Sequence, residues 1–116
     1  MELSPRRVDD VIVLGPAGRI DHLNADDFRS AIEPHLTVCS GEGPALLFDL
    51  SELEYISSAG LRVLMIAAKT AKPRGGRIAV AAPQPMVAEV LDISRFNLVF
   101  PVHASLDDGL RALTAG

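Results

Sequence analysis

Short apolar runs alternate with longer segments of helical period along this chain, and the alternation constrains the fold more than any single motif. In the longer segments, apolar residues recur every three or four positions. Alternating strands and helices form sheets with helices packed against them. The sequence therefore predicts an α/β fold with a mostly parallel or mixed sheet of four to five strands, in the order β-α-β-α-β-α-β-α. The predicted strands are Val11–Leu14, Ala45–Leu50, Arg77–Val80 and Leu98–Phe100.

Capping residues and prolines mark the ends of the four predicted helices. The first begins after Asn24, a potential cap, has two aspartates in its first turn, and presents an apolar face that includes Leu23 and Phe28. The other three begin at Ser57–Ser58, at Pro83 with Pro85, and at Ser105.

Length and charge limit the classes of function. The chain of 116 residues is enough for one domain with its own core, predicted to span the whole chain. A net charge of -4 argues against binding to nucleic acid, which normally requires a clustered basic face. The cations Lys69, Lys72, Arg74 and Arg77 surround the end of the second helix, and we interpret them as complements of its dipole.

The compartment is predicted from two features. The single Cys39 excludes an intramolecular disulfide and fits a reducing environment. The N-terminal residues lack the apolar stretch of a signal peptide, and no segment approaches the ~20 apolar residues of a membrane span. We therefore expect a cytoplasmic protein without membrane insertion.

Two adjacent serines lie where the second helix begins. Ser57 and Ser58 follow the predicted strand Ala45–Leu50 and a short loop, and the small residues Ala59 and Gly60 follow them. A serine at a helix start commonly accepts a hydrogen bond from an unpaired N–H of the first turn. The same N–H groups and the helix dipole also favour an anion such as a phosphate. The pair is therefore either a cap or a site suited to phosphorylation.

The polar turn Gly18–Asp21 is the second candidate site. In parallel α/β folds, functional groups gather outside the carboxyl ends of the strands. Asp21, Ser57 and Ser58 each follow a strand, so we expect them on one rim. The alternative is that Asp21 only caps the helix that begins near Asn24.

The motifs of common enzymes are missing. A hydrolase of the Gly-x-Ser-x-Gly type centred on Ser58 would have the bulky Ile56 in place of the first glycine. None of the histidines His22, His35 and His103 has the context of a catalytic base. No nucleotide-binding glycine loop occurs, and the acidic residues around His22 are explained more simply by a helix cap than by a metal site. We therefore predict a protein that is not an enzyme and needs neither a metal nor a cofactor.

Three segments together resemble the STAS domain, the fold of bacterial anti-sigma factor antagonists that also occurs at the cytoplasmic end of sulfate transporters. The segments are Gly18–Asp21, Leu47–Ser51 and Tyr55–Leu64. The resemblance covers essentially the whole chain in length, element order and motif. It implies a regulator of transcription whose partners are an anti-sigma factor that is also a serine kinase and a PP2C-type phosphatase.

The family pattern at the phosphorylated helix start is Asp-Ser-Ser/Thr-Gly. On this chain, Gly60 takes the position of the glycine and Ser58 that of the phosphoacceptor. Ser57 stands in place of the acidic residue, which makes it a rival acceptor, and Ala59 stands in place of the second hydroxyl. Asp21 matches the acidic residue of the first turn.

The resemblance implies partner switching. The unphosphorylated protein would bind the anti-sigma factor and release its sigma factor, and phosphorylation at Ser58 would end the binding. The alternative is an adaptor subunit of a membrane lipid-transport or signalling complex, never phosphorylated, in which the serines are a cap and the helix surface is a permanent contact. The implied partner-binding residues are Asp21, Ser57, Ser58, Ala59, Gly60, Arg62, Val63 and Ile66.

Overall fold

The computed structural model, which describes residues 1–114, has a five-stranded mixed sheet at its centre. Its four α-helices match the predicted ones, although the third begins at Pro85 and leaves Pro83 outside. In chain order the elements are β1 (Arg6–Val8), β2 (Val11–Leu14), β3 (Gly18–Ile20), α1 (Ala25–Val38), β4 (Ala45–Asp49), β5 (Leu53–Ile56), α2 (Ser58–Ala71), β6 (Ile78–Ala81), α3 (Pro85–Ile93), β7 (Val102–His103) and α4 (Leu106–Thr114), with 3-10 turns at Lys72–Arg74 and Phe96–Leu98.

The main sheet has the strand order β1-β2-β4-β6-β7. β1 runs antiparallel to β2, and the remaining neighbours are parallel. β3 and β5 lie outside this sheet and pair with each other in parallel as a separate two-stranded ribbon. The predicted α/β fold with a mixed sheet is therefore correct, and the sequence pattern predicted neither the ribbon nor the edge strand β1.

The central strand β4 separates two apolar cores. Leu46 and Phe48 face the larger core, which α1, α2 and α3 cover. Ala45 and Leu47 face the smaller core beneath α4. Because successive side chains of a strand point to opposite faces, the four successive apolar residues of β4 must be covered on both faces.

The predicted strand Leu98–Phe100 is wrong. Phe96 and Phe100 are both buried and their rings stack with centroids 4.7 Å apart, while Leu98 between them is 75% exposed. In a strand every second side chain faces the same way, so Leu98 would be buried together with Phe96 and Phe100. Its exposure shows that the segment is a tight turn instead. The edge strand β7 begins only after Pro101, which has no N–H to donate to a sheet.

Two of the four cations near the end of α2 stabilise other helices. Arg74 donates hydrogen bonds from Nη2 to the carbonyls of Leu36, Thr37 and Cys39, at the end of α1. Arg77 donates to the carbonyl of Leu113 near the end of α4. The interpretation of these arginines as complements of the α2 dipole is therefore wrong, since their guanidinium groups donate to carbonyls at the ends of α1 and α4.

The remaining expectations concern the start of α1 and the absence of a membrane span. Leu23, placed in the apolar face of the first helix, is 81% exposed because the chain is still in a turn there. Asn24 occupies the cap position of α1, but its side chain makes no cap hydrogen bond. In the described part of the chain, residues 1–114, no helix has both the length and the apolar character needed to cross a membrane.

Candidate functional site

The β3–β5 ribbon brings the two candidate loops together. Ile20 and Ile56 are register partners, both are buried, and the Ser57 N–H donates to the carbonyl of Ile20 at 2.8 Å. On the exposed side of the ribbon, the guanidinium of Arg19 lies 4.4 Å from the ring centroid of Tyr55. Because Ile20 and Ile56 end their strands side by side, the residues after them lie on one rim, as expected.

The Asp21 loop is closed by its own side chains. The Asp21 carboxylate accepts hydrogen bonds from the N–H groups of Leu23 and Asn24, at 2.9 and 3.3 Å. The Asn24 side chain accepts from the N–H of Asp21 at 2.8 Å and donates to the carbonyl of Arg19 at 2.9 Å. Asp21 therefore caps the turn before α1 rather than α1 itself, and its carboxylate is occupied within its own loop.

The two serines have different roles at the start of α2. Ser57 is the N-cap, with extended backbone, and its hydroxyl accepts from the N–H of Gly60 at 3.3 Å. Ser58 is the first residue of the helix and is exposed. Its hydroxyl makes no hydrogen bond to any residue of the described range 1–114. One hydroxyl thus supports the fold, and the adjacent one is available at the end of the helix where N–H groups favour an anion.

Gly60 lets α2 begin close to the ribbon. A Cβ at this position would lie 2.7 Å from Cγ2 of Ile20 and 2.8 Å from Cγ1 of Ile56, and both side chains are buried. Packing against these two side chains therefore explains why a glycine occupies position 60, the position of the glycine in the family pattern. It fixes the helix start, and with it Ser58, against the two strand ends.

A surface groove of about 660 Å³ runs from Ser58 along α2. Its apolar floor is formed by α2, with Leu61 and Val63 buried and Ile66 45% exposed. The charged or polar side chains on its walls belong to three elements. They are His22, Asp26 and Arg29 on the α1 side, Ser58 and Arg62 on α2, and Ser94 after α3.

The groove contains most but not all of the residues implied by the resemblance. Ser58, Ala59, Arg62, Val63 and Ile66 line it. Three others lie beside it: Asp21 is turned into its own loop, Ser57 is the cap, and Gly60 is buried under the helix start. The walls contributed by His22, Asp26, Arg29 and Ser94 were missed, because they depend on how three helices pack and no local pattern indicates them.

The model of the STAS domain family matches residues 2–109 of the chain. The chain belongs to the STAS domain family. Among relatives of this STAS domain is BtrV of Bordetella bronchiseptica, a protein that carries the name of an anti-sigma factor antagonist. The two are 34% identical over 90% of this chain and 88% of BtrV.

Solved structures agree with this assignment. An anti-sigma factor antagonist from Mycobacterium paratuberculosis superposes with a TM-score of 0.83 at 28% identity, covering 94% of this STAS domain and 90% of the other chain. The anti-sigma factor antagonist SpoIIAA has the same fold in its unphosphorylated form, with a TM-score of 0.76 at 16% identity, covering 97% and 96% of the two chains. SpoIIAA has also been solved in a phosphorylated form, with a TM-score of 0.68 and the same identity, covering 94% and 96% of the two chains.

Proposed function

We propose that this STAS domain is an anti-sigma factor antagonist that is switched off by phosphorylation at Ser58. The observation that carries the proposal is that the two serines differ at the start of α2, where Ser57 caps the helix and the Ser58 hydroxyl is exposed. The family relationship supports the general function. The phosphorylated form of SpoIIAA is precedent for such a modification in a protein of this fold.

The fold should tolerate a phosphate at this position. A phosphoserine carries a charge of about -1.5 to -2 at pH 7. On Ser58 this charge would face the N–H groups and the positive dipole end of α2. Arg62, one turn along the helix, is exposed on the same groove. Phosphorylation is therefore expected to leave the domain folded.

The same charge would oppose a partner bound in the groove. An unphosphorylated Ser58 beside the apolar floor of Leu61, Val63 and Ile66 presents a surface that a partner can cover. Once the partner covers this surface, a phosphate on Ser58 loses its hydration and faces partner groups that are complementary to a neutral hydroxyl. Such mispaired charge costs several kcal/mol. Since every 1.4 kcal/mol is a factor of ten, we expect a loss of affinity of about a hundredfold or more.

The proposed partners follow from this switch. An anti-sigma factor that is also a serine kinase would bind the groove and modify Ser58, and a PP2C-type phosphatase would restore the binding form. Binding would release the sigma factor held by the anti-sigma factor. The domain itself would supply a surface and a hydroxyl rather than catalysis.

The test compares Ser58→Asp and Ser58→Ala with the wild type in binding to the host's anti-sigma factor, measured by titration calorimetry, with circular dichroism as the check of folding. Phosphosites are mapped on protein purified from the host. We expect phosphate on Ser58, binding by wild type and Ser58→Ala, and a loss of about a hundredfold for Ser58→Asp.

Two results would contradict the switch. The first is equal binding by Ser58→Asp and the wild type while both remain folded. The second is the absence of phosphate on Ser58 together with recovery of one membrane or scaffold partner by all three proteins in a pull-down from the host. The latter is the behaviour of an adaptor subunit, in which the serines serve only the helix start.

A further inference from the structure

A second groove lies at the other end of α2, about 20 Å along the helix axis from the serine site. It has a volume of about 460 Å³ and lies between the last turns of α2, β6 and the turn before β7. Its apolar surface includes Ile78, Leu98 and Val99, and its rim carries Lys69 and Lys72. We call it the lysine groove, because these are the only two lysines of the chain.

The two ammonium groups of the lysine groove have no anionic partner among the described residues. Arg77, which also lines it, is occupied by the carbonyl of Leu113. The side chains of Lys69 and Lys72 are exposed and make neither a hydrogen bond nor an ion pair with another residue of the range 1–114. No Asp or Glu is among the described residues that line the groove. It is therefore a basic, apolar surface on a chain of net charge -4.

The outer face of α3 has the opposite character. Met86 and Ile93 are 62% and 74% exposed, and their spacing of two helical turns puts them on one line. The acidic residues Glu89 and Asp92 are exposed along the same side, and α3 contains no Lys or Arg. This face, which is apolar and acidic, is complementary in charge to a basic, apolar groove.

We propose that a second copy of this chain covers the lysine groove with its own α3. α3 ends at Ile93, and one tight turn leads from there to Leu98 at the edge of the groove, so the two surfaces are neighbours on the molecule. A two-fold axis between them brings each α3 onto the groove of the other copy, which is the geometry of a closed isologous dimer. The apolar residues of both surfaces then leave water, and two carboxylates meet two ammonium groups on each side.

The first test is reciprocal charge reversal followed by sedimentation equilibrium over a range of micromolar to millimolar concentrations. The wild type is expected to dimerise as its concentration rises. Lys69→Glu with Lys72→Glu, and separately Glu89→Lys with Asp92→Lys, should each weaken the dimer by at least roughly tenfold. An equimolar mixture of the two double variants should dimerise again, because both contacts in the mixed dimer are then complementary.

The control is Asp27→Lys, a charge reversal of the same kind at an exposed position of α1 outside both surfaces. This variant should dimerise as the wild type does. Circular dichroism establishes that each variant is folded.

The second test needs no variant. A carbodiimide joins a lysine to a carboxylate only when the two are in contact, and the two lysines make the products easy to assign. In a mixture of isotope-labelled and unlabelled wild type, we expect mixed-label peptides that join Lys69 or Lys72 to Glu89 or Asp92. A wild type that stays monomeric throughout, whether or not another protein binds the lysine groove, overturns the proposal. So does a dimer that lacks these links.

Discussion

Replacing each of the two serines by alanine should separate the residue that supports the fold from the one that is available for modification. Ser57→Ala removes the acceptor for the N–H of Gly60, whereas Ser58→Ala removes a hydroxyl without a partner among the described residues. We expect Ser57→Ala to lower the free energy of unfolding by about 0.5–1 kcal/mol. Ser58→Ala should leave it unchanged or raise it slightly.

The magnitude follows from the geometry of the cap. Loss of a serine cap costs about 0.5–2 kcal/mol. The Ser57 hydroxyl lies 3.3 Å from the Gly60 nitrogen, longer than a typical N–H···O distance, which favours the lower half of that range. For Ser58, alanine is the better helix former by about 0.5 kcal/mol, and no hydrogen bond offsets this gain.

The assay is urea unfolding followed by far-ultraviolet circular dichroism at pH 7. With a slope of about 1.5 kcal/mol per molar urea, Ser57→Ala should shift the midpoint down by roughly 0.3–0.7 M. Ser57→Asp is the matched control, because aspartate also caps helices and should restore most of the loss. If Ser58→Ala costs as much as Ser57→Ala, the Ser58 hydroxyl supports the fold and the argument that it is available for phosphorylation fails.

Three further predictions concern the rest of the domain. Phe48→Ala should lower the free energy of unfolding by about 3–5 kcal/mol, since its ring is fully buried between two other phenylalanines. Chemical unfolding measures this change, and a cost below about 1 kcal/mol would contradict the packing. Arg74→Gln should lower it by about 1–2 kcal/mol, because three carbonyls at the end of α1 lose a charged donor, and native-state hydrogen exchange should show the loss in the last turn of α1. Burial raises the pKa of the Cys39 thiol, so the neutral thiol is favoured in the fold. The free energy of unfolding should therefore be insensitive to this group below the pKa of the unfolded chain, about 8.5, and fall as the pH rises further. Unfolding between pH 7 and 10 should show a shallower fall for Cys39→Ala, and equal slopes would contradict the assignment.

The elements that sequence reasoning predicted correctly are those with a strong local signal. β4 is apolar at four successive positions, and α2 repeats its apolar residues over a full 14 residues, so each is recognisable without its neighbours. The cap at Ser57 and the proline at the start of α3 are also recognisable from the residues around them alone.

The missed features depend on partners that are distant in the chain. β3 and β5 have three and four residues, too few to show a period, and each is a strand only because the other is beside it. The carbonyls that Arg74 satisfies lie more than 30 positions earlier. The walls of the groove beside Ser58 were missed for the same reason, since His22 and Ser94 both line it only after α1, α2 and α3 have packed. The rim itself was expected from the predicted strands Val11–Leu14 and Ala45–Leu50, but the strand ends that form it are those of the ribbon.

The β3–β5 ribbon also affects when the site comes into existence during folding. Its pairing joins Gly18 to Leu53, two parts of the chain that are separated by α1 and β4. Closing so long a loop costs entropy that only the completed contacts repay. A newly made chain with an unclosed ribbon would carry the serines on a loop detached from Asp21. A protein that bound both loops at once would therefore bind only molecules in which the ribbon has closed.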